Sequence, residues 1–364
     1  MGAISQGLAY AALCRHIVTS DGETCAEARG PTHGGSGLFV LDLLLPVTPK
    51  RNCQMNSLSI VVVGSTNTDM VIKASHLPQP GETILGGTFF MSAGGKGANQ
   101  AVAVARLGGT VSFISKTGYD IFGKQSIELF EKEGIDTTFV VRDKIEPSGV
   151  ALITVDDKGE NCIVVAAGAN AALNCTDIDE AKDKIENASL LLMQLEVPIE
   201  TVEYVATIAK EKGIKLILNP APAAKLSDEL LKKISIITPN QKETEMLTGI
   251  KVIDQASAKL AAIVLRDKGI ETVIITMGAA GAFLLHQDNY EMIPGHKVKV
   301  VDTTAAGDVF NGALGVAICE GKTVRDAVAF ACKAAAISVS RLGAQASAPH
   351  RSEVESFDMA EARE

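Results

Sequence analysis

The 364-residue chain predicts an α/β fold, a doubly wound and mostly parallel sheet carrying a small β-sheet lid. Three observations carry that prediction. Short apolar, β-branched runs recur from residue 58 onward, helical stretches separate most of them, and two segments with antiparallel character break the alternation. Leu58–Val63, closed by Gly64, reads as a strand buried on both faces. The same reading applies to Val111–Ser115, Leu190–Met193, Lys215–Leu218, Ser235–Thr238 and Thr272–Thr276. Between them, Gly97–Leu107, Phe122–Glu133, Ile199–Lys212, Glu243–Leu247 and Gln255–Lys268 predict helices. The exceptions are Val71–Lys73 with Thr88–Met91, and Gly149–Val155 with Asn161–Ala166, which predict ribbons outside the main sheet. Asp157-Lys158-Gly159 supplies hairpin-turn chemistry between the last two. The lid is therefore expected over about 69–75, 86–92 and 149–166.

Composition bounds the function. Hydrophobic residues make up 46% and charged residues 21% of the chain, the profile of a globular protein. A net charge of −9 argues against nucleic acid or an anionic membrane surface as partner. No apolar run is long enough to cross a bilayer. The seven cysteines form no CxxC pair and no zinc spacing, which suits reduced thiols in the cytoplasm. Residues 1–54 lack sustained periodicity, and their acids cancel their bases, unlike a transit peptide. The expectation is a disordered extension or an early start codon, because Met55 stands just before the first strand. One domain over 55–355 and a short tail over 356–364 complete the division.

The chemistry concentrates beyond strand ends. In Asp302-Thr303-Thr304-Ala305-Ala306-Gly307-Asp308, small residues precede an apolar helical face formed by Val309, Phe310, Ala313, Leu314, Ala317 and Ile318. Such a helix start leaves N–H groups free to bind an anion. Asp308 in its first turn could take a proton from an attacking hydroxyl while those donors hold phosphoryl charge. It could equally just complement the helix dipole. Gly94-Gly95-Lys96-Gly97-Ala98-Asn99 opens another helix, with glycines that admit a ligand close to the backbone. Asn67 and Asp69 follow the first strand, and Glu196 follows Leu190–Met193. Asn240 with Glu243 follows Ser235–Thr238 and could orient waters around Mg²⁺. Thr276, Gly278 and Gly281 follow the last apolar run. Ligands of open α/β sheets bind at that edge. Gly118–Lys124 nearly matches a phosphate loop, but Gln125 replaces the required hydroxyl, and Asp120 reads better as a helix cap.

From about residue 58 to 350 these stretches resemble the ribokinase-like carbohydrate kinase family, most specifically over Gly94–Gln100 and Asp302–Gly312. The resemblance implies a Rossmann-like sheet, a lid that covers the sugar and pairs two subunits into a homodimer, and transfer of the ATP γ-phosphoryl to O5 of D-ribose. It makes Asp308 the catalytic base and Ala305, Ala306 and Gly307 the anion hole. It assigns Asn67, Asp69, Gly95, Lys96, Gly97, Asn99 and Glu196 to the sugar. Asn240, Thr276, Gly278, Ala279, Gly281 and Gly307 fall to the nucleotide, and Glu243 to Mg²⁺. Cys332 stands where the family often has Asn or His beside the nucleotide. Asp302, Thr304, Ser338, Arg341, Gly343 and Ser347 match a K⁺ site, several through backbone carbonyls. Two alternatives remain: a kinase for another small sugar such as deoxyribose, and a non-catalytic sugar- or nucleotide-binding regulator. A dinucleotide oxidoreductase is disfavoured because no GxGxxG follows the first strand.

Overall fold

Residues 17–18, 24–25 and 59–357 are described in a computed structural model of the chain, which divides into two units, Met1–Cys53 and Gln54–Glu364. In the first unit Ile17–Val18 pairs antiparallel with Thr24–Cys25. Most of the expected extension and the last seven residues of the expected tail lie outside the described residues.

In the second unit the strands are β1 (Ser59–Val63), β2 (Asn67–Lys73), β3 (Thr88–Gly94), β4 (Thr110–Gly118), β5 (Val140–Asp143), β6 (Gly149–Val155) and β7 (Asn161–Ala166). They continue as β8 (Leu190–Met193), β9 (Lys215–Leu218), β10 (Ile236–Ile237), β11 (Thr272–Thr276), β12 (Gly281–His286) and β13 (Asn289–Pro294). The helices are α1 (Lys96–Arg106), α2 (Ile121–Lys132), α3 (Cys175–Glu180), α4 (Lys182–Glu186), α5 (Ile199–Lys212) and α6 (Asp228–Leu231). After them come α7 (Gln241–Thr248), α8 (Gln255–Asp267), α9 (Ala306–Cys319), α10 (Val324–Val339) and α11 (Arg351–Ser356).

A nine-stranded sheet runs β13-β12-β11-β10-β9-β8-β1-β4-β5, parallel from β11 to β5 and antiparallel at the β12–β13 edge. The period-two alternation of its apolar strands divides the core. Ile60, Val62, Leu190 and Leu192 face one layer with α1, α9 and α10. Val61, Val63, Leu191 and Met193 face the other with α5 and α8. Both faces are thus covered, and burying each such side chain stabilises the fold by about 1.5–3 kcal/mol. A Cβ on Gly97 would come within 2.6 Å of the Gly64–Ser65 backbone, so α1 can lie this close to the end of β1 only through glycine.

The two expected ribbons are both present, but they form one four-stranded sheet, β3-β2-β6-β7. The join is parallel, between β2 and β6. At the β6–β7 turn Asp156 Oδ1 accepts from the Lys158 and Glu160 N–H groups, and Gly159 takes φ +83°. Two apolar runs change length: Val111–Ser115 extends to Thr110–Gly118, and Ser235–Thr238 contracts to Ile236–Ile237. Ser59–Val63 of the first run is a strand, and Leu58 lies outside the described residues. Asp120 is the N-cap of α2 and accepts from the Gly123 N–H, as expected for a helix start rather than a phosphate loop.

Candidate active site

The carboxyl ends of β1, β8, β9, β10 and β11 bring together most of the residues singled out above. Lys96, in the first turn of α1, is their electrostatic centre. Burial pushes its ammonium down, but the charges of Asp308, Glu196, Glu243 and Asp69 outweigh that and raise it. The converging carboxylates respond in kind. Burial and the charge of Glu196 lift Asp69 to about 6, against an opposing pull from Lys96. Burial also raises Asp308, opposed by Lys96 and by amide hydrogen bonds.

Asp308 lies in the first turn of α9 and is 5% exposed. Its Oδ2 accepts from Asn99 Nδ2 at 2.9 Å and its Oδ1 from Gln100 Nε2 at 3.2 Å. Ala305 caps α9 in the left-handed region, at φ +59° and ψ +9°. The Gly307 and Asp308 N–H groups have no acceptor among the described residues, the state an anion-binding helix start requires. Asn311 steadies this turn: its Nδ2 donates to the Gly307 carbonyl at 2.8 Å, and its Oδ1 accepts from Thr238 Oγ1 at 2.7 Å.

Glu196 has a structural task. It accepts from the Lys96 N–H at 3.0 Å and from the Ser65 hydroxyl, while the Ala98 N–H donates to the Ser65 carbonyl. The start of α1 therefore has partners, whereas in α9 the Ala306 N–H donates to the Thr303 carbonyl and the next two N–H groups have no acceptor among the described residues. Asn67 receives Asn170 Nδ2 on its Oδ1 at 2.8 Å, and Asp69 sits over Gly94, where a Cβ would approach Oδ2 to 2.3 Å. Asn99 Oδ1 and Thr66 Oγ1 are buried without a hydrogen-bond partner among the described residues, which fits a polyol whose hydroxyls can donate.

Asn240 and Glu243 form a capping box at the start of α7, the Asn-x-x-Glu pattern in its ordinary structural use. Each Glu243 oxygen already accepts from Asn240, at 2.8 and 2.7 Å, and burial raises its carboxyl. One lone pair per oxygen remains for water. No group of three His, Cys, Asp or Glu that could hold a metal occurs among the described residues, so these residues fit Mg²⁺ only as an ion that keeps its water shell. Asn240 bridges to Thr276, and Gly278–Ala280 forms an exposed 3₁₀ turn before Gly281 at φ +98°.

Asp302 clasps two loops. Its Oδ1 accepts from the N–H and hydroxyl of Thr304, and its Oδ2 from the Gly343 N–H at 2.9 Å. Burial alone would raise this carboxyl, but these bonds hold it below the usual range. The buried Ser338 and Ser347 hydroxyls donate to the Ala335 and Ala344 carbonyls, leaving their oxygen lone pairs available. That donor set fits a weakly hydrated monovalent cation. Cys332 lies within the hydrophobic core on α10, where burial pushes its thiol up to about 12. The sequence reading passed over Gln100, Gln194, Asn219, Asn170 and Asn311. Their signal was a polar residue set into an apolar element, which periodicity treats as noise.

A parallel sheet covered on both faces, a sugar-sized set of polar groups at its carboxyl edge and an anion-ready helix start together define a phosphotransferase-type site. Residues 57–351 match the pfkB family carbohydrate kinase, and the chain belongs to that family. It is 49% identical over 299 residues to a ribokinase of Haemophilus influenzae, covering 82% of this chain and 98% of that protein. It is 38% identical over 293 residues to a deoxyribokinase of Salmonella typhi, covering 80% and 96%. The structure of Arabidopsis thaliana ribokinase complexed with ribose and ATP superposes with a TM-score of 0.77 at 32% identity, over 83% of this chain and all of that one.

Proposed function

We propose that this carbohydrate kinase phosphorylates D-ribose at O5 with ATP, yielding ribose 5-phosphate and ADP. The observation that carries the reading is Asp308: a buried carboxylate, held by two amides, in a helix turn whose Gly307 and Asp308 N–H groups have no acceptor among the described residues. Asp308 takes the proton of the 5-hydroxyl as O5 bonds to the γ-phosphorus. The bond from that phosphorus to the β–γ bridging oxygen breaks, and ADP leaves with its electron pair. The Gly307 and Asp308 N–H groups hold the charge on the transferred group, with Ala305 and Ala306 shaping the turn. Asn67, Asp69, Gly95, Lys96, Gly97 and Asn99 bind the sugar. Glu196 acts on it through Lys96 and the start of α1. Asn240, Thr276, Gly278, Ala279 and Gly281 line the nucleotide side, with Cys332 at its margin. Glu243 would help hold Mg²⁺, which would neutralise phosphate charge. Asp302, Thr304, Ser338, Arg341, Gly343 and Ser347 would hold a K⁺, whose charge would help fix the turn that carries the anion hole.

The lid supports a homodimer. Strand register puts Ile72, Phe89, Met91, Leu152 and Val164 on the face opposite Asp69, and all five are exposed. A second copy laid on that face would cover it.

The test is ADP release from Mg-ATP with ribose, deoxyribose, fructose and adenosine, each in K⁺ and in Na⁺. Ribose should give the highest kcat/KM, and K⁺ should raise it. A deoxyribose preference would move the substrate, and silence with every sugar would move the reading to a regulator. Asp308→Asn should keep sugar and nucleotide binding while losing at least about 10²-fold in kcat. Near-normal turnover in that variant overturns the mechanism.

A further inference from the structure

We propose that Gln194 and Gln100 form a directional amide relay that orients Asp308 and sets its proton affinity, both acting as positioning residues. The inference rests on the reading of Asp308 as general base.

Gln194 follows the leucine-rich strand β8 and is fully buried. Its Nε2 donates to Gln100 Oε1 at 2.7 Å. With that carbonyl engaged, the Gln100 amide can turn only one way, its NH₂ toward Asp308 Oδ1 at 3.2 Å and Asn219 Oδ1 at 3.4 Å. The reversed amide would set a carbonyl oxygen against the carboxylate and lose the Gln194 bond. Neither glutamine is a contact expected of sugar or nucleotide, and Gln194 reaches the carboxylate only through Gln100.

The arrangement is unfavourable to stability in two ways. Gln194 Oε1 is buried without a partner among the described residues, although an apolar side chain there would extend the run of Leu190–Met193. Its carbonyl also occupies space that exists only because residue 64 is glycine: a Cβ there would lie 2.1 Å from Oε1. Local rules broken without a packing gain point to a working site. The gain here is a chain of donors ending on Asp308, each polarising the next in a low-dielectric interior.

The relay acts within a charged surround. Lys96 on α1 faces Asp308 and favours its ionised form; Glu196 after β8, Asp69 on β2 and Glu243 on α7 oppose it. Those charges stay in place when Gln194 is replaced, so a change in the pH profile reports the relay itself.

The test uses Gln194→Met, which removes the donor at nearly constant volume. Losing one ordered donor to a charged group should move the acidic limb of kcat upward by about one pH unit. At neutral pH kcat should fall roughly tenfold, with KM for sugar and ATP within about twofold. Because Gln194 acts through Gln100, the double variant Gln100→Met/Gln194→Met should be no slower than Gln100→Met alone. An unchanged acidic limb, or additive losses, refutes the relay. Should Gln194→Met fail to fold, Gln194→Glu carries the same test. It keeps the shape but offers only acceptors once ionised, so kcat should drop as it ionises, and a flat profile overturns the proposal. Asp308→Asn is assayed in parallel: if it turns over normally, the base assignment has failed, whereas a dead Asp308→Asn beside a normal Gln194→Met profile sinks the relay alone.

Discussion

Asp69→Asn separates the stability of this site from its function. Asp69 is buried over Gly94 at the inner face of the lid, and burial together with the charge of Glu196 lifts its carboxyl from 3.8 to about 6. The folded chain therefore holds this proton more tightly than the unfolded chain does. The stabilisation is fully present below pH 3.8 and is lost as pH rises through about 6. The interval between the two values corresponds to about 3 kcal/mol, the largest amount by which an ionised Asp69 can strain the folded state at neutral pH. Asparagine has nearly the same shape and never ionises. The variant should match the wild type in urea unfolding at pH 4, then exceed it progressively to a plateau above pH 7. It should also bind sugar more weakly, because a carboxylate accepts hydroxyl hydrogen bonds more strongly than an amide does. The assay is paired urea denaturation at pH 4, 5, 6 and 8, with KM for the sugar measured at pH 8. A stability difference that stays constant with pH, or a variant less stable than the wild type at pH 8, refutes the reasoning.

Ala305 holds a left-handed conformation without being glycine, so Ala305→Gly should raise stability by up to about 1 kcal/mol in thermal unfolding. A loss of stability would mean that its methyl group packs usefully. Lys116 is a buried ammonium bound to Asp177 at 2.9 Å and to the Ala172 carbonyl at 3.2 Å. Lys116→Met should cost about 3 kcal/mol in urea unfolding, and adding Asp177→Asn should recover part of it. Leu152→Asp puts a charge on the outer face of the lid, and sedimentation should show it as a monomer at concentrations where the wild type is a dimer. A wild type that is monomeric throughout would end the lid-dimer proposal.

Local sequence carried a good deal of this molecule. The apolar runs at Leu190–Met193, Lys215–Leu218 and Thr272–Thr276 are strands with those same limits, because a parallel strand buried on both faces needs a continuous apolar segment. Edge strands escape that signal. The edge strand β13 is largely solvent-facing and its side chains carry no buried period, whereas β12, an internal strand buried along nearly its whole length, has an apolar run that the sequence pattern does not single out. β10 contracted to two residues because ladder pairing with β9 and β11 sets its length. The site shows the same division. Asp308, Asn99 and Asp69 stand out by residue type and position after strand ends or at helix starts. Their partners do not: Asp308 is held by residues 209 and 208 positions away, and Lys96 is held by Glu196, 100 positions on. Whether Glu243 is a cap, whether Glu196 is a ligand or a clasp, and which way Gln100 turns depend on which strand ends the crossovers bring together. Sequence by itself determined the strands, the helices and the chemistry available at their ends, because periodicity and turn chemistry are local properties. Only the tertiary structure decided which polar groups meet and which are left without partners, because hydrogen bonding in a buried site is settled between segments far apart in the chain.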